Sequence, residues 1–166
     1  LPFLSPFLKN DGYIRESNNL YCLPMALKMI QYGTQEYEQM LVLRRQILRK
    51  PLGLDFSKEE LAKEEEHVLL GCFDDEVLEG CCMLVEKSQR EIRLRQLAVL
   101  SGLQGKGIGR VLMVFAENVA RDRRYQKIIM HARISSIPFF DKLGYTVVGE
   151  PFIELTIQHV VMEKEL

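Results

Sequence analysis

The stretch Leu103-Gln104-Gly105-Lys106-Gly107-Ile108-Gly109-Arg110 places three glycines at alternate positions and runs without a break into a helical apolar pattern. Glycines so spaced let several backbone N–H groups converge on one concavity, because no Cβ blocks the approach and positive φ costs little. A helix starting there adds about half a positive charge at its first turn. Together these features describe a cradle for an anion, most often a phosphate. Ile108, Val111, Leu112, Phe115 and Val119 form the apolar stripe of the helix, which ends near Arg121 to Arg124. Apolar strands before the loop and at Lys127 to Ala132 make this a strand, loop, helix and strand unit.

The strand before the loop carries a second signal. Ile92 and Leu94 occupy even positions, whereas Leu97 and Val99 occupy odd ones, with Arg95-Gln96 between them. A regular strand keeps one phase. One extra residue at Arg95-Gln96, a β-bulge, returns both pairs to the same face and splays the strand from its neighbour, leaving backbone groups free for a ligand. A strand buried on both faces near its end is the alternative.

The remaining pattern is mixed. Ala26 to Gln31 alternates as a short strand, and Thr34 offers a capping oxygen. Tyr37, Met40, Leu41, Ile47 and Leu48 then recur at helical spacing until Pro51, with Arg44, Arg45 and Arg49 on the other faces. Ser57 and Glu60 have capping-box spacing, so a short charged helix is predicted over Lys58 to Glu66, with Glu64-Glu65-Glu66 as a solvated surface. Val68 to Phe73, Val77 to Glu86 and Glu91 to Leu100 read as strands of a meander. Ser135 or Ser136 to Leu143 reads as a short helix stopped by Gly144, and Tyr145 to Val148 and Glu154 to Glu163 as the last strands. The expected class is α+β, a central, mostly antiparallel sheet with flanking helices.

A chain of 166 residues that is 47% hydrophobic suits one domain. Residues 1–24 carry three prolines and no sustained period, so they read as an N-terminal extension, native or added, before a domain at 25–166. The 22 basic and 23 acidic side chains leave a net charge of -1, with no overall field toward nucleic acid or an anionic membrane. No apolar run approaches the roughly 20 residues that span a bilayer. Cys22, Cys72, Cys81 and Cys82 lack metal-site spacing and read as buried free thiols, which fits a reducing cytoplasm; no metal is expected.

Two phosphate motifs fail on the glycine loop. A Walker loop counted from Gly102 reaches Gly107 but then meets Ile108 where lysine is required, and a dinucleotide fingerprint counted from Gly105 meets Arg110 at its third glycine. What fits is Gln104-x-x-Gly107-x-Gly109 after a bulge-prone strand. On these residues, with the strand from Leu94 to Val99, the segment from His131 to Tyr145 and the strand from His159 to Glu163, the chain resembles the GNAT family of N-acetyltransferases over about residues 26 to 166.

The resemblance implies acetyl-CoA as cosubstrate. Its diphosphate would lie on Gln104, Gly105, Lys106, Gly107, Ile108, Gly109 and Arg110, and its pantetheine arm along the backbone of Leu97, Ala98 and Val99. Lys106 and Arg110 as surface cations, and Leu97 and Val99 as core, are the alternatives. The Val99 N–H would polarise the thioester carbonyl. Arg133 stands near the arm where many relatives carry asparagine, and Phe140 where many carry a tyrosine acid. His159 resembles a recurrent histidine and is either a base or a structural residue. His131 reads as a positioned strand residue, His67 as surface and Tyr145 as core. Arg44, Arg45, Glu79 and Cys81 are candidates to line the acceptor site.

Three functions follow. The first is an N-acetyltransferase acting on a small-molecule or protein amine. The second is a non-catalytic coenzyme A sensor, and the third a nucleotide enzyme with an atypical loop. The resemblance allows a homodimer.

Overall fold

A computed structural model describes residues 25–166, so the expectation for residues 1–24, with Cys22, lies outside the described residues. Among the described residues seven strands form one sheet: β1 (Met25–Ile30), β2 (Val68–Asp74), β3 (Val77–Glu86), β4 (Glu91–Val99), β5 (Lys127–Arg133), β6 (Thr146–Glu154) and β7 (Ile157–Glu165). Their order is β1-β2-β3-β4-β5-β7-β6, antiparallel throughout except for the parallel pair β4–β5. That pair is joined by the glycine loop and α3 (Ile108–Asp122), the crossover a parallel connection requires.

The sheet is covered on both faces. Against one face α3 packs Ile108, Leu112, Met113 and Ala116 on Leu94, Ile128, Met130 and Val160. Against the other α1 (Gln35–Arg44) packs Tyr37, Met40 and Leu41 on Leu69, Phe73 and Met83. Thr34 caps α1, its side chain accepting from the Tyr37 N–H at 3.3 Å.

The helix expected to continue to Pro51 changes form first: α1 ends at Arg44, and a π-helical turn over Arg45–Arg49 and a 3-10 turn over Lys50–Leu52 follow. The charged helix is likewise shorter, α2 (Lys58–Ala62) and then a 3-10 turn over Lys63–Glu66, begun by the expected capping box. Glu64 is buried, against the expectation of a solvated acidic run. It accepts from Arg44 at 2.8 and 3.0 Å and from the Tyr37 hydroxyl at 2.7 Å. An acid that finds a guanidinium and a hydroxyl can leave water; its neighbours Glu65 and Glu66 stay exposed.

The late helix is short too, α4 (Ile137–Asp141) after a 3-10 turn. The strand expected over Tyr145 to Val148 is longer, and the last strand begins at Ile157 where Glu154 was expected. β6 runs through Gly149 and Pro151 because it is the edge strand and its register with β7 shifts between Val148 and Phe152, where a missing N–H costs nothing.

The bulge lies where the slipped phase puts it. Met83 faces Arg95 and Cys81 faces Ala98, so Gln96 and Leu97 of β4 oppose Cys82 alone. Gln96 adopts φ 54°. Leu97 and Val99 consequently pack on the same cluster as Ile92 and Leu94, and Ala98 enters the opposite one.

Candidate functional site

The parallel ladder between β4 and β5 covers only Glu91–Leu94 and Lys127–Met130. Beyond Leu94 the bulge turns β4 away, and a cleft of about 270 Å³ opens between the two strands. Its lining includes Leu97, Arg133, Phe140 and His159 from the sequence-derived candidates.

Val99 stands at the far end of β4. Leu100 N–H donates to the Glu79 carbonyl at 2.9 Å. Ladder groups alternate along an antiparallel strand, so Val99 turns its own N–H and C=O away from β3, toward the gap. The Val99 carbonyl accepts from Gln104 Nε2 at 3.2 Å, which ties the strand to the loop.

In the loop, Gly105 and Gly107 adopt φ 79° and 91°, values that other residues reach only at a cost. Nothing lies within 4 Å of where a Cβ would stand on either. Gly109 differs: a Cβ there would sit 3.3 Å from the Phe139 ring. Val111 N–H donates to the Gly107 carbonyl at 3.0 Å and begins α3, so the Ile108, Gly109 and Arg110 amides form the open first turn. Lys106 N–H is spent on the Leu103 carbonyl at 3.4 Å, while the Lys106 and Arg110 side chains are exposed.

Phe140 is buried between Phe139 and Tyr145. Tyr145 is fully buried, as expected of core, and its hydroxyl donates to Glu117 at 3.0 Å. His159 is 8% exposed at the cleft wall. Its Nδ1–H donates to the Ile157 carbonyl at 2.8 Å, which in the neutral ring leaves Nε2 with the lone pair.

The four residues proposed to line the acceptor site stand elsewhere. Arg44 is consumed by Glu64 in the core, Arg45 pairs with Asp55 at 2.9 Å, Cys81 is fully buried, and Glu79 does not line the cleft. Burial pushes the Cys72, Cys81 and Cys82 thiols up, and all three are free. His67 is half-buried where a surface residue was expected.

The cleft instead contains residues that the sequence did not mark as site candidates: Arg49, Arg93, Arg95 and Glu154. His131 Nδ1 lies 2.6 Å from an Arg93 nitrogen and 3.0 Å from Glu154 Oε2. Burial, with Arg93 beside it, holds His131 below the usual histidine range against the opposing pull of Glu154. The available signal was alternation: arginines at 93 and 95 share the face opposite Ile92 and Leu94.

Residues 34–166 match the family model described as an acetyltransferase (GNAT) domain. The chain belongs to the GNAT acetyltransferase family. Two curated relatives from Bacillus subtilis, named uncharacterized N-acetyltransferases YitI and YjcF, are similar to it. YitI is 29% identical over 83% of this chain and 97% of its own. YjcF is 26% identical over 82% and 98%. A crystal structure of a GNAT family acetyltransferase from Elizabethkingia anophelis with acetyl-CoA bound shares the fold, with a TM-score of 0.66 at 19% identity over 86% of this chain and 98% of that one.

Proposed function

We propose that the protein transfers an acetyl group from acetyl-CoA to a primary amine of a small molecule or a protein. One observation carries the reading: free backbone donors stand at the end of β4 and at the start of the helix that follows it, Val99 N–H and the Ile108–Arg110 amides, just past the Leu97 wall of the cleft. The open space over Gly105 and Gly107 is the form a diphosphate cradle needs, so these residues fit the coenzyme. Gln104 steadies the loop through the Val99 carbonyl, and Leu97, Ala98 and Val99 offer the backbone edge along which the pantetheine arm would lie. Arg133 and Phe140 border its inner end. Three free thiols in the core support a reducing, cytoplasmic setting.

Acetyl-CoA supplies a thioester whose carbonyl carbon accepts the amine: a C–N bond forms, the C–S bond breaks, and coenzyme A leaves as the thiol. Val99 N–H stabilises the oxyanion that develops on that carbonyl. His159, with Nε2 unprotonated, takes the proton that the amine loses, directly or through a water. Phe140 has no hydroxyl to give the departing sulfur a proton; that proton comes from solvent.

The absence of a hydroxyl at Phe140 favours a second reading, a domain that binds coenzyme A without turning it over. Thermal shift with acetyl-CoA and with ATP, followed by thiol release against an amine panel, separates the readings. Stabilisation by acetyl-CoA with thiol release supports the transferase. Stabilisation without release supports the sensor. Stabilisation by ATP in place of acetyl-CoA overturns both.

A further inference from the structure

Where β4 and β5 part, the sheet face away from α3 is rich in arginine. Ile92, Leu94, Met130 and Ala132 point into the α3-side core. Alternation therefore sends Arg93, Arg95, His131 and Arg133 to the opposite face, where all four border the cleft. Arg49 closes over them from the π-helical turn, but it is held by Glu60 at 3.2 Å and by stacking on Phe56 at 4.4 Å.

Negative charge on that face is scarce. Glu154 is the carboxylate among the described lining residues. It stands 3.8 Å from an Arg93 nitrogen and 3.0 Å from His131 Nδ1. A single ring nitrogen can accept from Arg93 or donate to Glu154, but it cannot do both. Arg93 Nε is buried and has no hydrogen-bond partner among the described residues. Arg95 makes no ion pair among them, and its charge lowers the Arg93 pKa together with burial. Two guanidinium groups thus stand two residues apart on one strand face, and the one lining carboxylate among the described residues is shared between Arg93 and His131.

Resting on the acetyltransferase reading above, we propose that the acceptor amine carries a carboxylate or phosphate, which Arg93 and Arg95 hold while the amine reaches the Val99 end of the cleft. Guanidinium groups bind such anions through paired, charge-assisted hydrogen bonds, and the fixed fork orients what they hold. A neutral amine leaves the Arg93 Nε–H unmet. A polycation adds repulsion.

The test uses the full chain with matched acceptors: O-phosphoethanolamine against ethanolamine, β-alanine against its amide, and spermidine. Thiol release gives kcat/KM for each, and calorimetry on the coenzyme A-saturated protein gives binding of the anionic members. The anionic member of at least one pair is expected to lead by about tenfold or more, the worth of a hydrogen bond to a charged group. Which pair shows the larger ratio separates phosphate from carboxylate. Arg95→Gln is expected to collapse that ratio, mainly through KM, and Arg95→Lys to restore part of it. Arg93→Gln repeats the test from the other guanidinium, and acetyl-CoA affinity reports whether each variant is folded. Preference for ethanolamine, the amide or spermidine, failure of both anionic members to bind, or a ratio unchanged in both Gln variants overturns the proposal. Failure of the unsubstituted protein to bind acetyl-CoA overturns the acetyltransferase reading instead.

Discussion

Gly107 holds φ 91° at the N-cap of α3, a conformation that an L side chain adopts only under strain. The space above it is open, so alanine there is strained by backbone conformation alone. Gly107→Ala is expected to cost about 1–3 kcal/mol, the usual strain of a non-glycine residue held in that region. If the loop relaxes to escape the strain, its amides lose convergence, and calorimetry should record acetyl-CoA affinity lower by about tenfold, one charge-assisted hydrogen bond's worth. Unchanged affinity would place the diphosphate elsewhere. His67 gives a second prediction at this scale. Burial holds it below the usual histidine range, with Arg95 and Arg44 lowering it and Glu64 and Glu66 opposing. Its folded pKa therefore lies below its unfolded value of about 6.5, so the unfolded chain takes up the proton first as pH falls. Stability is fully present above that value and is lost as pH drops below it. The melting temperature should decline from about pH 7 toward pH 5, and His67→Gln should flatten the decline. An equal slope in the variant would remove His67 from the account.

Between elements, the buried Arg44–Glu64 pair joins α1 to the 3-10 turn after α2. The Tyr37 hydroxyl completes it, and Arg44 and Arg49 lie over the Phe56 ring at 4.7 and 4.4 Å. Removing the acid strands a guanidinium with no exposed surface. Glu64→Ala is expected to destabilise the fold by about 3–5 kcal/mol, whereas Arg44→Met with Glu64→Leu should recover most of the loss. Denaturant melts measure both, and a single variant within about 1 kcal/mol of the parent would show the pair to be solvated. This pair also shows what sequence alone conceals. The acidic run reads as surface because partnership depends on contacts twenty residues away. The bulge in β4 was legible because a phase slip is local, as was the capping box at Ser57. The π-helical turn after α1 was not, since Ile47 and Leu48 keep an apolar spacing that an α-helix satisfies equally well. The length of β6 past Val148 was not legible either, because a strand that carries Gly149 and Pro151 is tolerated only at an edge, and edge position is a fact of topology.

At the scale of the molecule, the two faces of one sheet present different groups where β4 and β5 part. The α3 face presents the glycine loop and the helix start, both written in contiguous residues and so readable in order. The other face gathers Arg49, Arg93, Arg95 and Glu154 from three separate segments. Strand arginines that alternate with apolar residues look like an ordinary solvated face until the topology sets β5 and β7 beside them. Among the described residues no helix is long and apolar enough to cross a membrane. Ligand bound to the native state alone should raise the melting point, by about 2.7 kcal/mol of stability at a hundredfold excess over Kd. Where it binds matters more. The most direct measurement is an amide-resolved NMR titration of the protein with acetyl-CoA. The account predicts the largest shifts at Ile108, Gly109, Arg110 and Val99, with Leu97 and Ala98 following along β4. Shifts confined to the β1–β2 edge or to the outer face of β6, with the loop amides unmoved, would contradict it.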